Sequence, residues 1–432
     1  MHLGERAYAL LVLTAVVLLA AVWSADPLIA AAWPWLACAL LAGLAWEGFA
    51  LRRLRLSGAV HDAARLLLGR QSAALLEVSA DARSALQLEI SPAAPTGIEG
   101  PATTRHIEIL PGSSACSTLA LKPVALGRQA WADFPARVRG SFGLAWWDAR
   151  IPIQQTTLVA PDALRGARPR RRGVASGMRP RRVVGAGSEL YQLREYLAGD
   201  PPARIDWKAS ARAAALMTRE FSEDQHLDVV VAIDAGRLSR IRTGALDRLS
   251  LYGNLAARFA EGAVVNDDQI GLVIYADRVV SALPPARGLA AVIRIRRELE
   301  QLAVSPAESE PLAAAARIRA LLRHRGLVVL LTDLDDASVA DQLARVVRVL
   351  TPPHQIVIAG VENREIEQLA TRTARGWRDP YVALAAREHQ ASAAAQRAVL
   401  QRMGVPVIVA REDRLEAAVF EEYERLRLAR RI

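Results

Sequence analysis

HLDVVVAID, His226 to Asp234, is the stretch that decides the fold. Val229 to Ile233 are apolar without interruption, so both faces of the strand they form are buried. A strand buried on both sides belongs to a sheet covered on both sides. Similar runs follow toward the C-terminus: QIGLVIYA from Gln269 with RVVSAL from Arg278, LVVLLTDL from Leu327, QIVIAGV from Gln355 and VPVIVAR from Val405. Between them the periodicity changes to that of helices, near Ala245 to Gly262, Gly288 to Leu302, Pro311 to His324, Ala337 to Leu350, Val382 to Met403 and Leu415 to Arg431. Strands alternating with amphipathic helices predict a mostly parallel, doubly wound α/β sheet over 226–432. In such sheets functional groups gather at the carboxyl ends of strands. Asp234 closes the first strand, and Asp333, Asp335 and Asp336 close LVVLLTDL.

Upstream the texture differs. LLEVSA, LQLEIS, RHIEIL, STLALKPV, PARVRGSFGLAWWD and TTLVAP, spread between Leu75 and Pro161, alternate apolar and polar residues and are punctuated by Gly, Pro and Ser. Period-2 alternation at this spacing predicts half-buried antiparallel strands in a small β-sandwich over 51–162. Residues 50 to 70 read as an amphipathic, Arg-containing exit from a preceding hydrophobic region. Trp146 and Trp147 read as edge or interface residues.

That hydrophobic region is the N-terminus. Ala7 to Ala25 and Pro27 to Trp46 carry no charged side chain. Each approaches the ~20 residues that a helix needs to cross ~30 Å of hydrocarbon. With Asp26-Pro27 as the turn, 1–50 predicts a transmembrane helical hairpin. Arg6 before it and Arg52, Arg53 and Arg55 after it place both ends in the cytoplasm, and the soluble part with them, at the bacterial inner membrane. A cleaved signal peptide ending near Ala25 is the rival reading of the first run. The lipid bilayer is then one partner on either reading. Cys38 and Cys116 sit in different regions, so no disulfide framework is expected.

The chain has 432 residues, 52% of them hydrophobic, and a formal charge of +10. The charge is concentrated in RGARPRRRGVASGMRPRR, Arg165 to Arg182, with eight arginines and no acid. Gly and Pro deny this run regular structure. It reads as a solvated linker, a contact for anionic lipid head groups, or a nucleic-acid contact. It lacks interleaved aromatics and no nucleic-acid-binding module follows, which makes nucleic acid the weakest of the three.

Between linker and sheet lies GSELYQLREYLAGDPPARIDWKASARAAALMTREF, Gly187 to Phe221. Its LREY, GD, R-x-IDWK-x-SAR and REF elements resemble the signature of the domain of unknown function 58 family. The candidate interaction residues are Arg194, Tyr196, Gly199, Asp200, Arg204, Asp206, Trp207, Lys208, Ser210, Arg212, Arg219 and Glu220. Gly199 and Asp200 with the following prolines predict a turn, and Asp206, Trp207 and Lys208 the start of a helix. Arg204 and Arg212 are expected to pair with Asp200, Asp206 or Glu195 in forked geometry. The segment 163–225 is then either a polar clasp against the sheet domain or a surface read by a partner protein.

The resemblance implies a von Willebrand factor A-like fold for 226–432, and partnership with MoxR-type AAA+ ATPases in assembling or activating other proteins. Domains of that fold often bind Mg²⁺ through a D-x-S-x-S loop, a Thr and a second Asp. Here the loop reads Asp234-Ala235-Gly236-Arg237-Leu238, with both serines missing, and LPPARGLAAV offers no Thr. Asp234 and Asp333 are degenerate candidates, Arg237 adds charge beside them, and no metal or cofactor is expected. The two acids then read as helix caps or loop-tuning residues. No Ser-His-Asp order, phosphate loop or activated cysteine is visible. The expectation is a non-enzymatic scaffold or adaptor; the alternative is an enzyme or binder of anionic cell-envelope ligands.

Overall fold

The computed structural model describes residues 2–24, 27–82, 84–101, 103–162, 184–222, 226–334 and 337–428. The Arg165 to Arg182 run, Asp26, Asp335 and Asp336 lie outside the described residues. The chain opens with strand β1 (His2–Leu3) and two helices, α1 (Glu5–Ser24) and α2 (Pro27–Leu51). Both are long and apolar enough to cross a membrane. Their outer faces present Leu19, Val22, Trp23, Leu28 and Trp35, an apolar surface that water would not tolerate at this extent.

The next region forms mostly antiparallel sheets. β2 (Leu56–His61), β3 (Arg65–Leu67), β4 (Ser72–Ala80), β5 (Leu86–Ile90), β6 (Ile98–Glu99), β7 (Arg105–Ile109), β8 (Ser114–Pro123), β9 (Gly127–Ala130), β10 (Phe134–Arg139), β11 (Ala145–Ile151) and β12 (Thr156–Ala160) follow in turn. One sheet runs β2-β4-β8-β6, a second β1-β11-β10-β5-β7, and a small third β3-β12-β9. Alternate residues point into one shared core: Leu76 and Val78 from β4, Leu88 and Ile90 from β5, Phe134 and Val138 from β10. The expected amphipathic exit is corrected here. α2 ends at Leu51, and β2 already pairs with β4 in the register Val60 with Leu76. Alternation at Leu56, Gly58 and Val60 outweighs the arginines just before it, which remain exposed at 52 and 53.

After β12 come the long strand β13 (Val184–Glu195), helix α3 (Trp207–Ala213) and strand β14 (Met217–Ser222), which pairs with β13. The C-terminal part is then β15 (Asp228–Asp234), a short hairpin of β16 (Arg242–Thr243) and β17 (Leu246–Asp247), α4 (Arg248–Val265), β18 (Gln269–Tyr275), β19 (Val279–Ala286), α5 (Gly288–Leu299), α6 (Pro311–Leu321), β20 (Leu327–Leu331), α7 (Ala337–Leu350), β21 (Gln355–Val361), α8 (Arg364–Thr371), α9 (Asp379–Arg402), β22 (Val407–Ala410) and α10 (Glu412–Leu428).

Six of these strands form one mixed sheet in the order β19-β18-β15-β20-β21-β22. β15, β18, β20, β21 and β22 are parallel, and β19 is an antiparallel edge. Val229, Val231 and Ile233 enter a core shared with α4, α5 and α10; Val230 and Ala232 enter a second core with α6, α7 and α9. That split is why β15 is apolar from Val229 to Ile233.

The antiparallel part is bonded to this sheet domain. Ser250 Oγ accepts from Leu126 N at 2.8 Å, and Asp162 N donates to Asn254 Oδ1 at 3.0 Å. Arg65 pairs with Glu300. Gly127, at φ +91°, brings its Cα where any side chain would strike the Leu302 carbonyl, so only glycine allows the approach.

Candidate functional site

Two polar centres flank the start of the sheet domain. The first is the hairpin of β13 and β14. Opposition of Gln192 with Glu220 and Arg194 with Thr218 sets the Arg194 and Glu220 side chains diagonally across the strand pair. Arg194 Nε donates to Glu220 Oε1 at 2.5 Å, while its two terminal nitrogens donate to the two Asp200 oxygens, each at 2.8 Å. Gln192 completes Glu220. Asp200 is delivered by Gly199, whose φ of +111° closes the turn, and also accepts from Leu197 N. Tyr196 Oη donates to the Asp200 carbonyl. The Arg194 bond and the Leu197 amide hold Asp200 below the usual carboxylate range. Gln192, then Arg194, does the same for Glu220.

The expected pairing is thereby corrected. Arg194 makes the forked bonds, not Arg204 or Arg212. Asp206 is used by its own helix: its Oδ1 accepts from Lys208 N and Ala209 N as the N-cap of α3. Cross-strand geometry favours Arg194, because only it faces both the turn and Glu220. Ser210 is buried and joins α3 to β14. Its hydroxyl donates to the Asp206 carbonyl and accepts from Met217 N. Arg219 is half-buried on β14 opposite Leu193. Arg204 is half-buried; Lys208 and Arg212 are exposed. Trp207 is 68% exposed, Leu197 62% and Leu216 47%. Backbone bonds from Tyr196 N to the Leu216 carbonyl and from Asp206 N to the Met217 carbonyl bring these three apolar residues to one end of the hairpin.

The second centre lies at the carboxyl ends of β15 and β20. Asp234 is buried. Its Oδ1 accepts from Gly236 N at 2.9 Å and from Ser309 Oγ, and its Oδ2 from Thr332 Oγ1 at 2.8 Å. Burial pushes its carboxyl above the ordinary value, against the pull of Ser309, Gly236 and Thr332. Asp333 pairs with Arg248, the first residue of α4, which is 1% exposed. Tyr252, one turn along α4, donates to the Thr332 carbonyl and accepts from Val361 N, tying β20 to β21.

The sequence pointed to Asp234 and Asp333 but missed Arg248, Ser309 and Thr332. Arg248 and Ser309 lie in stretches with no motif, Thr332 stands beside Asp333 in LVVLLTDL without a signal of its own, and Ser309 takes the place of a loop serine. A Cβ at Gly236 would meet Ser309 Oγ at 2.1 Å, so glycine there makes room for it. Ser239, one position out of register, donates to the Asp234 carbonyl. Arg237 points outward to Glu308; the charge at the centre is that of Arg248. Asp234 does tune the loop after its strand through Gly236, whereas Asp333 is an ion-pair partner.

A metal site of the von Willebrand factor A type needs free carboxylate oxygens at these positions. Both Asp234 oxygens are engaged by hydroxyls and an amide, and a buried guanidinium already neutralises Asp333. A divalent ion would meet Coulomb repulsion in a site with little water. The residues present do not fit one. Among the described residues no group of three or more His, Cys, Asp or Glu converges.

Residues 192–375 match the family described as Protein of unknown function DUF58. Solved structures similar to the chain include BatB from Bacteroides thetaiotaomicron, at 13% identity and TM-score 0.31, covering 46% of this chain and 98% of that one. An aerotolerance-related membrane protein from Bacteroides fragilis overlays at 14% identity and TM-score 0.24, covering 40% and 97%. An uncharacterized membrane spanning protein from Vibrio fischeri overlays at 15% identity and TM-score 0.18, covering 46% and 98%. No curated protein matches the chain.

Proposed function

We propose, from the match of residues 192–375 to the DUF58 family, that this protein is a membrane-anchored adaptor that acts by protein–protein contact. Its partner is a MoxR-type AAA+ ATPase, and the outcome is assembly or activation of a client protein. The observation that carries this reading is the exposed apolar end of the β13–β14 hairpin. Trp207, Leu197 and Leu216 stand out in solvent on a segment stiffened by the Arg194 bonds and the Asp206 cap. A large exposed aromatic on a rigid support is the usual anchor of an interface.

The arrangement of the second centre supports a non-enzymatic role. Its acids are engaged with fixed protein partners rather than aimed into an open cleft. We read the six-stranded sheet as von Willebrand factor A-like from its strand order and the Asp at the end of β15, with the metal-dependent mode of partner binding lost. The Arg52, Arg53 and Arg55 flank supports a cytoplasmic soluble part, where ATP is available to the partner.

The test is co-purification of the MoxR-type ATPase from its own cells, with and without ATP. A Trp207→Ser, Leu216→Ser double variant should lose the ATPase while melting like the wild type. Undiminished capture by that variant would remove this hairpin end as the contact surface.

A further inference from the structure

The membrane hairpin is not merely tethered to the soluble part. Glu47, near the end of α2, is fully buried, and its carboxylate accepts from the backbone N–H groups of Phe142, Leu144 and Ala145. Gly140 has no side chain, and a Cβ there would overlap that carboxylate. At the start of α1, Gly4 N donates to the Leu144 carbonyl, and Arg6 Nη1 to the Phe142 carbonyl at 3.0 Å. The loop between β10 and β11 is thus clamped across the open end of both helices. Leu144 is buried between Ala7 and Leu40, while Phe142 is 52% exposed at the loop tip.

Under this loop a groove of about 570 Å³ runs between the helices, lined by Arg6, Leu10, Ala39, Gly43, Phe142 and Leu144. That volume is within the ~300–1,000 Å³ range of ligand sites. The helix surfaces around it are apolar and exposed, and the nearby Trp46 and Phe49 mark a membrane–water boundary. Arg53 stacks over Phe49 at 4.8 Å. Arg6 is exposed at the groove mouth, and its bond to Phe142 uses one of five guanidinium donors. Charged groups near this end include Arg6, Arg52, Arg53, Arg55 and Arg139, the last beside Gly143, against Glu5 and Asp148, while Glu47 is enclosed by amides.

We propose that this groove binds one anionic phospholipid of the bilayer, its phosphate on Arg6 and an acyl chain along Leu10, Ala39 and Gly43. The proposal rests on the hairpin crossing the membrane. A bilayer supplies acyl chains to an apolar groove at this depth, and an arginine at the head-group level selects an anionic phosphate.

The experiment is native mass spectrometry of the full-length protein released from micelles holding equal amounts of phosphatidylglycerol and phosphatidylcholine. The wild type should retain one phosphatidylglycerol in clear excess. Arg6→Gln should lower that preference by about tenfold, the loss of one charge-assisted bond. Ala39→Phe, which fills the groove from an exposed helix position, should abolish retention of either lipid. Equal retention of the two lipids by the wild type, or unchanged retention in both variants, would overturn the site. Alkaline extraction of native membranes separates the underlying reading: a chain released by carbonate does not span, whereas a resistant chain with no lipid preference defeats this site alone.

Discussion

Arg248 heads the largest fully buried side chains among the described residues. It is buried beside Asp333, so removing it leaves a carboxylate without its counter-charge in the interior. Arg248→Met should lower stability by about 3–5 kcal/mol in denaturant unfolding. Adding Asp333→Leu should recover most of that loss, because removing both charges takes away the uncompensated one. If the double variant is no more stable than the single, the pair is not the source of the effect. Mg²⁺ at millimolar concentration should leave the wild-type melting temperature unchanged, since an ion that does not bind the native state cannot stabilise it.

Asp234 gives a pH-dependent result of defined sign. Its folded value is raised by burial above the ordinary 3.8. The stability it contributes is therefore fully present below that value and is lost as pH rises through the folded one. Asp234→Asn removes this component, so its stability should fall less than the wild type's as pH rises above the ordinary carboxylate value. The raised Asp247 and Asp268 are common to both proteins and cancel. Equal slopes would show that Asp234 does not titrate differently in the folded state.

At the scale of elements, the β13–β14 hairpin and α3 are held by two separate devices. Asp206→Ala removes the α3 cap and should cost about 1 kcal/mol. The loss should appear as faster amide exchange at Lys208 and Ala209 rather than as global unfolding. Arg194→Ala should act further, loosening Gln192, Asp200 and Glu220 together and exposing the Tyr196 amide to exchange. A larger global effect from Asp206→Ala than from Arg194→Ala would reverse these roles. GDPP was readable as a turn and DWK as a helix start, because both signals act within four residues. The partner of Asp200 was not readable. Arg204 is nearer to it in sequence than Arg194, yet the pairing register of β13 with β14 selects Arg194.

On the scale of the whole molecule, both open ends of the hairpin meet the same loop, so the chain enters and leaves the membrane-length helices on one side. A reporter fused at Ile432 should be active as a cytoplasmic fluorescent protein and inactive as alkaline phosphatase. A strongly active phosphatase fusion would reverse the orientation. Glu47→Ala would leave the amides of Phe142, Leu144 and Ala145 without their acceptor, at about 1–3 kcal/mol for each that stays dry. The expected outcome is protease cleavage near Ser141 at a temperature where the wild type resists it. Equal resistance would show that the loop is held without Glu47.

Local regularities were enough to establish the class of this protein. Uncharged runs announced the membrane-length helices, period-2 alternation the antiparallel sheets, and unbroken apolar strands the covered mixed sheet. Each is a periodicity within one element, and hydrophobic burial acts on it wherever the element ends up. The polar centres are different in kind. Arg248 lies 85 residues from Asp333, Ser309 75 from Asp234, and Glu47 95 from Phe142. Glu47 read only as the end of a hydrophobic run, and Arg248 as one arginine among many. A buried charge acquires its partner only when distant backbone segments pack and exclude water, so tertiary structure alone decided which residues meet and that a guanidinium balances Asp333.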